Sequence, residues 1–287
     1  MSLSRRFLLP ARRLLQQGLQ TECCKRLSSN QNLEVEHELE TGLATVTLAK
    51  APVNSLDGEF LTSISNTFKK LENDSAVKGI LVASKFHGGV YSAGLHIFDL
   101  FNRSDSHVSE FWRCVQEWYL DVFGCSKPVV AAINGQAPAG GCAMALVCDY
   151  RVMQEGKIIG LNETQLGITA PFYLADLMTA TVGARKSRLA LQLGYLFSSQ
   201  EALNAGLVDE VVDLDSVIPR AREQLLMMSK VPQPAFHITK QLLRGETMKV
   251  LKATREQDIA NFRSLIQMPF VQAVIGKYLE SLKQKKK

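Results

Sequence analysis

The pattern of apolar and polar positions opens with alternation. Residues 33–40 and 42–49 (GLATVTLA in the second) alternate with the period of half-buried strands, and Thr41-Gly42 between them suits a hairpin turn. Pro52 and Asn54 break the second strand. From Asp57, a candidate N-cap, to Glu72 the period becomes helical, with Phe60, Ile64, Phe68 and Leu71 on one face. The continuous apolar run 79–83 has the length of a buried strand, and a loop through Gly88, Gly89 and Gly94 follows it. A second cycle predicts a helix over 109–123, a buried strand over 128–133, a loop of small residues over 134–141, a short buried helix over 142–148 and a strand over 150–153. Beyond about residue 172 the pattern is helical, over 173–182, 184–194, 199–205, 214–230, 234–244, 246–265 and 269–283, and only 206–212 reads as extended. These elements predict an α/β fold, a stack of β-β-α units followed by a helical C-terminal region.

Residues 1–33 stand outside this pattern. They hold Arg5, Arg6, Arg12, Arg13, Lys25 and Arg26 against one acid, Glu22, and Phe7, Leu8, Leu14 and Leu15 would give a helix an apolar face beside a basic one. Such a segment reads as a mitochondrial transit peptide, which places the protein in the matrix. A basic arm for nucleic acid or a membrane surface is the competing reading. The charge balance bears on that choice. The whole chain is +5, with 33 Lys and Arg against 28 Asp and Glu. The first 33 residues alone account for that excess, so the remaining body is neutral and has no global bias toward nucleic acid. Hydrophobic residues make up 46% of the chain, yet no apolar run approaches the ~20 residues of a membrane span. The expected organisation is a leader over 1–33, an α/β core over 34–200 and a helical region over 201–287.

The six cysteines, Cys23, Cys24, Cys114, Cys125, Cys142 and Cys148, form no C-x-x-C pair, and no His or Cys cluster has metal-ligand spacing. They read as free thiols in a reducing compartment, and no metal or separate cofactor is expected.

Two loops carry the candidate chemistry. Tyr91-Ser92-Ala93-Gly94-Leu95 follows the strand at 80–83, and the loop from Gly135 to Cys142 follows the strand at 129–133. Each places small residues after a buried strand and before a helix, where a ligand can approach the backbone and N–H groups are free. Two such donors converging on one carbonyl oxygen would make an oxyanion hole. Tight helix–strand packing explains either loop alone, but their equivalent places in successive units favour function.

The motifs S-A-G-L (92–95), K-P-V-V-A-A-I-N-G (127–135), N-G-x-A-P-A-G-G-C (134–142) and C-D-Y-R-V (148–152) resemble the crotonase, or enoyl-CoA hydratase/isomerase, superfamily. The resemblance spans roughly residues 35–265 and is most specific over 90–170. Within it, G-L-N-E-T-Q-L-G-I followed by A-P-F (160–172) is most similar to the mitochondrial Δ3,Δ2-enoyl-CoA isomerase branch. The resemblance implies a crotonase-like spiral, an acyl-CoA substrate whose CoA is part of the substrate rather than a cofactor, and a homotrimer with subunit contacts from the C-terminal helices. It also implies an oxyanion hole from the N–H groups of Leu95 and Gly140, with Ala93, Gly94, Leu95, His96 and Ile97 lying along the thioester and CoA arm. The family pattern A-G-x-D carries His96 here in place of the aspartate.

Hydratases of the family use two glutamates. The first position is Ala143 here and the second is Glu163, so water loses half of its positioning machinery while a single carboxylate suffices for a 1,3-proton shift. Glu163 is therefore the expected base of an isomerase. Read without the family, Glu163 would be an N-cap or surface ion-pair residue. Other acyl-CoA chemistry (weak hydration or thioester hydrolysis) and a non-catalytic RNA-binding homologue remain alternatives. The aromatic cluster Phe111, Trp112, Trp118 and Tyr119 suits either a core or the wall of an acyl pocket.

Overall fold

The computed structural model describes residues 32–284 and the backbone of residues 24–30. The basic segment from Arg5 to Arg13 and the last three lysines lie outside the described residues. The first unit contains β1 (Cys24–Asn30), β2 (Leu33–Glu38) and β3 (Leu43–Leu48), followed by helix α1 (Gly58–Asn73). Asp57 caps α1 by accepting from the Phe60 N–H, and Phe60, Ile64, Phe68 and Leu71 are all buried, as their spacing predicts. The next unit is β4 (Gly79–Ser84) and α2 (Asp105–Phe123). Helix α2 starts a turn before the apolar period does, because Ser104 accepts from the His107 N–H and caps it there.

The third unit is β5 (Val129–Ile133), β6 (Ala137–Pro138) and α3 (Gly140–Leu146), and the fourth is β7 (Tyr150–Gln154), β8 (Ile158–Gly160) and α4 (Phe172–Val182). There follow α5 (Ala184–Leu193), β9 (Phe197–Ser198), α6 (Ser199–Ala205), β10 (Glu210–Val212), α7 (Leu214–Ser229), α8 (Gln233–Ile266) and α9 (Pro269–Gln284). The main sheet has the order β1-β2-β3-β4-β5-β7-β10. Its first three strands are antiparallel, and β3, β4, β5, β7 and β10 run parallel. Strands β6, β8 and β9 form a second, smaller sheet. The sequence pattern misses these three short strands, although it marks the three-residue β10 within 206–212.

Two further differences have plain causes. Segment 24–30, which charge assigns to the leader, pairs antiparallel with β2 in the main sheet. The two helices expected over 234–244 and 246–265 are one 34-residue helix. Gly245 costs a helix interior only about 1 kcal/mol relative to alanine, and the anchors on either side of it outweigh that. Beyond it, Leu251, Ile259, Phe262 and Ile266 are buried. Before it lies a buried ionic cluster. Asp149 accepts from Lys240 Nζ at 2.7 Å, from an Arg244 Nη at 2.8 Å and from the Val129 N–H at 2.8 Å. Arg244 also donates to the carbonyls of Phe123 and Val147.

Removing Asp149 would leave two cations facing carbonyls with no countercharge. Asp149→Ala is expected to lower unfolding free energy by about 3–5 kcal/mol, the range for breaking a buried ion pair. Urea denaturation at neutral pH measures it, and a loss below about 1 kcal/mol, the level of an exposed pair, would be the contrary result.

Candidate active site

Two buried asparagines hold the candidate loops in place. Asn54 donates to Ser84 Oγ and to the Tyr91 carbonyl, each at 2.9 Å, while its Oδ1 accepts from the Lys50 N–H. Asn134 clips the end of β5 to β4, donating to the Ser84 carbonyl at 2.7 Å and accepting from the Ser84 N–H at 3.0 Å. Ser92 Oγ donates to the Asn54 carbonyl and accepts from the Gly94 N–H. The first loop is therefore fixed by buried polar contacts at Tyr91, Ser92 and Gly94.

Leu95 forms a parallel bridge with Leu56. In it the Leu56 N–H donates to the Gly94 carbonyl and the His96 N–H to the Leu56 carbonyl. The N–H of Leu95 itself consequently projects away from Leu56. On the other side lies Gly140, the first residue of α3, whose N–H has no carbonyl one turn back to bond. The two backbones touch: a Cβ on Gly140 would sit 3.1 Å from Leu95 N, and one on Gly94 would sit 2.7 Å from Gly140 N. Gly94 also has φ +87°. Glycine is required at both places, since only a bare backbone admits the approach. Ala139, between β6 and α3, is held at φ +49°, ψ −122°, with its N–H donating to the Gly160 carbonyl. Strain at a non-glycine residue immediately before the helix is stored where α3 is aimed at the first loop.

Glu163 reaches the same place through β8. Pairing of β6 with β8 sets Gly160 against Pro138, and three residues on, Glu163 starts a 3-10 turn (Glu163–Leu166). Thr164 Oγ1 donates to the Leu191 carbonyl and Gln165 Nε2 to the Gly194 carbonyl, pinning that turn to the end of α5. Glu163 Oε2 is buried and has no hydrogen-bond partner among the described residues. Loss of water raises its pKa to about 7, and a bond from its own backbone N–H opposes this more weakly. A carboxyl poised near neutrality suits a group that must take and return one proton.

Leu95, Gly140, Ala143 and Glu163 all line one cavity of about 30 Å³. Ala143 presents a methyl group one turn into α3. The rest of the wall is apolar, chiefly Trp112, Val115, Trp118, Ile168, Leu174 and Phe262. All four aromatics are buried in the main core, and of them Trp112 and Trp118 also line the cavity. Phe262 had no signal in the sequence that tied it to the site, because it lies 99 residues beyond Glu163 on a helix that reads only as amphipathic.

The other expected residues sit around this centre. Ala93 is exposed and Gly94 buried. Ile97 packs against the main core and opens a 3-10 turn ending at Asp99. The His96 ring does not line the cavity. Its Nδ1 lies 3.2 Å from Asp99 Oδ2, and His107 Nε2 is 3.0 Å from the other oxygen of that carboxylate. Among the described residues no group of three or more His, Cys, Asp or Glu could hold a metal ion. No helix among them is long and apolar enough to cross a membrane.

The family model for enoyl-CoA hydratase/isomerase matches residues 38–287. The mitochondrial enoyl-CoA delta isomerase 1 of Rattus norvegicus is 44% identical over 263 residues, covering 91% of each chain. Its Homo sapiens counterpart is 41% identical over 263 residues, covering 91% of this chain and 87% of its own. The crystal structure of human mitochondrial delta3-delta2-enoyl-CoA isomerase superposes with a TM-score of 0.88 at 41% identity, covering 90% of this chain and 100% of that one. An enoyl-CoA hydratase from Bacillus halodurans follows at 0.77 and 26%, covering 86% and 99%.

The raised pKa of Glu163 has a thermodynamic signature. A carboxyl at about 7 in the folded chain and 4.5 ordinarily keeps its proton after the unfolded chain has lost it. Its contribution is therefore most favourable below pH 4.5 and declines as pH rises to about 7, by on the order of 3 kcal/mol. Glu163→Gln should remove that decline, so that the variant gains on the parent between pH 4.5 and 8. Denaturant melts of both proteins at the two pH values test it, and a constant difference would contradict the buried carboxyl.

Proposed function

Since this chain belongs to the enoyl-CoA hydratase/isomerase family and has its fold, we propose that it is a Δ3,Δ2-enoyl-CoA isomerase of unsaturated fatty-acid β-oxidation, with Glu163 as its sole proton carrier. It converts 3-cis- and 3-trans-enoyl-CoA to 2-trans-enoyl-CoA. The observation that carries the reading is the buried carboxyl of Glu163, whose Oε2 has no hydrogen-bond partner among the described residues, in a cavity shared with Leu95, Gly140 and the methyl of Ala143. The naming of relatives that share 41% and 44% of their residues over 91% of the chain supports it.

The thioester oxygen accepts hydrogen bonds from the N–H groups of Leu95 and Gly140, which draw charge from C1 and acidify C2. Glu163 removes the C2 proton, and the electron pair delocalises over C2 to C4 and the thioester oxygen as a dienolate. The same carboxyl returns the proton at C4, so the double bond moves from C3–C4 to C2–C3 and nothing is oxidised or reduced. No cofactor enters this balance; the CoA arm lies along Ala93, Gly94, Leu95, His96 and Ile97 and serves as a handle. Hydration is disfavoured because Ala143 has no group to orient water.

The enzyme works in the mitochondrial matrix after loss of its leader, as a homotrimer. Support for assembly comes from exposed apolar side chains on the late helices, Ile238, Leu242 and Leu243 on α8 and Phe270 and Tyr278 on α9. Light scattering of the mature protein at micromolar concentration should give three chain masses, and a monomer would refute the assembly.

Glu163→Gln preserves size and polarity but cannot accept a proton. Its kcat should fall by roughly 10²–10⁴ with little change in acyl-CoA affinity. In the parent enzyme, kcat/KM should rise with pH through a limb near 7, as Glu163 ionises. Wild-type turnover by Glu163→Gln, or a rate indifferent to pH between 5 and 8, would assign the proton to another group.

A further inference from the structure

Two residues of the cavity wall carry a buried polar atom with no hydrogen-bond partner among the described residues. One atom is Glu163 Oε2 and the other is Nε1 of Trp118, on α2. An ionised carboxyl can only accept, and an indole N–H can only donate. The other tryptophan of the wall is already engaged. Trp112 Nε1 donates to Asp258 Oδ2 at 2.7 Å, and the Phe262 ring stacks on the Trp112 ring with centroids 3.5 Å apart. A buried indole N–H usually finds an acceptor, because leaving it without one costs its full desolvation. Trp118 thus brings an unused donor to the wall that also holds an unused acceptor.

Other groups around Glu163 are committed elsewhere or neutral. The remaining side-chain donor of the wall is the hydroxyl of Thr169, an exposed residue. Asp258, on α8, accepts from Trp112 and Gln116. Cys142, on α3, lies within electrostatic reach of Glu163, and burial raises its thiol pKa well above the ordinary value, so it stays protonated. Arg151, on β7, is paired with Asp209 at 3.1 Å. Glu163 has no cation beside it among the described residues; loss of water and its own backbone N–H account for its raised pKa. The cavity of about 30 Å³ has room for roughly two waters, so an indole donor on its wall can serve the carboxylate directly or through one of them.

We propose that Trp118 is a positioning residue whose Nε1 donates a hydrogen bond, directly or through one water, to the Glu163 carboxylate of the substrate-free enzyme. Such a bond favours the charged, proton-accepting form and opposes the loss of water that favours the neutral acid. Only its kinetic consequence rests on the isomerase reading, since the bond itself is read from tryptophan emission, which needs no turnover.

Two measurements together decide it. The first is tryptophan emission as a function of pH. The chain has two tryptophans, Trp112 and Trp118, so Trp118→Phe leaves Trp112 alone and the difference from the parent is the Trp118 signal. That signal should change in one step as Glu163 ionises, at about pH 7 or below, and the step should vanish in Glu163→Gln. The second measurement is the pH profile of kcat/KM on a 3-enoyl-CoA, which reports the free enzyme. Its limb in Trp118→Phe should lie roughly one to two pH units above that of the parent, the worth of a hydrogen bond to a charged group. A purely structural role for the ring would lower the plateau and leave the midpoint in place. A Trp118 signal that stays flat with pH, a step that survives in Glu163→Gln, or a limb unmoved in Trp118→Phe would overturn the bond. If Trp118→Phe does not fold, the emission step of the parent and its loss in Glu163→Gln decide alone. Should no 3-enoyl-CoA be turned over while the step appears and is lost in Glu163→Gln, the isomerase reading fails and the bond stands.

Discussion

The close approach of the Gly94 and Gly140 backbones is the constraint on which the rest of the site depends. Any side chain at either position would meet backbone atoms of the other loop at about 3 Å or less. The contact brings an N–H that β-bridging turns outward, that of Leu95, beside an N–H that helix initiation leaves free, that of Gly140. Neither donor relies on a side chain, so His96 in place of the family's aspartate leaves both N–H groups in place. The buried amides of Asn54 and Asn134 hold the loops, and the pairing of β6 with β8 brings Glu163 to them.

Glu163 is in tension with its surroundings. Burial with Oε2 unpartnered disfavours the charged form of the carboxyl, and its pKa rises to about 7. In the proposed isomerisation, the same burial would make the carboxyl basic enough to take a carbon-bound proton and acidic enough to give it back. With Ala143 in place of a second carboxylate, no neighbouring group competes for the proton.

Helix α8 joins stability to the site. Its first half is anchored through Lys240 and Arg244 to Asp149, at the start of β7, and its second half delivers Asp258 and Phe262 to Trp112. The helix that reads as a helical appendage is in fact part of the cavity wall, while Leu242 and Leu243 stay exposed on its surface.

Much of this was legible in the chain alone. The alternation over 33–49, the capped helix from Asp57 and the apolar runs at 79–83 and 128–133 are local signals, and local physics decides them. The two glycine-rich loops were legible as a pair because they recur at the same point of successive units, and Ala143 with Glu163 because family motifs surround them. Other features required the tertiary structure. The short strands β6, β8 and β9 are defined by their pairing with one another and left no trace in the pattern. Gly245 reads as a break until buried anchors on both sides make one helix continuous. Nothing in the sequence marked the His96 ring as lying beside Asp99, whose other oxygen meets His107. Phe262 meets Trp112 across 150 residues of chain, and the protonation of Glu163 depends on how much water the packed walls exclude. A sequence specifies such contacts only through the fold, because each depends on atoms that are far apart along the chain and adjacent in space.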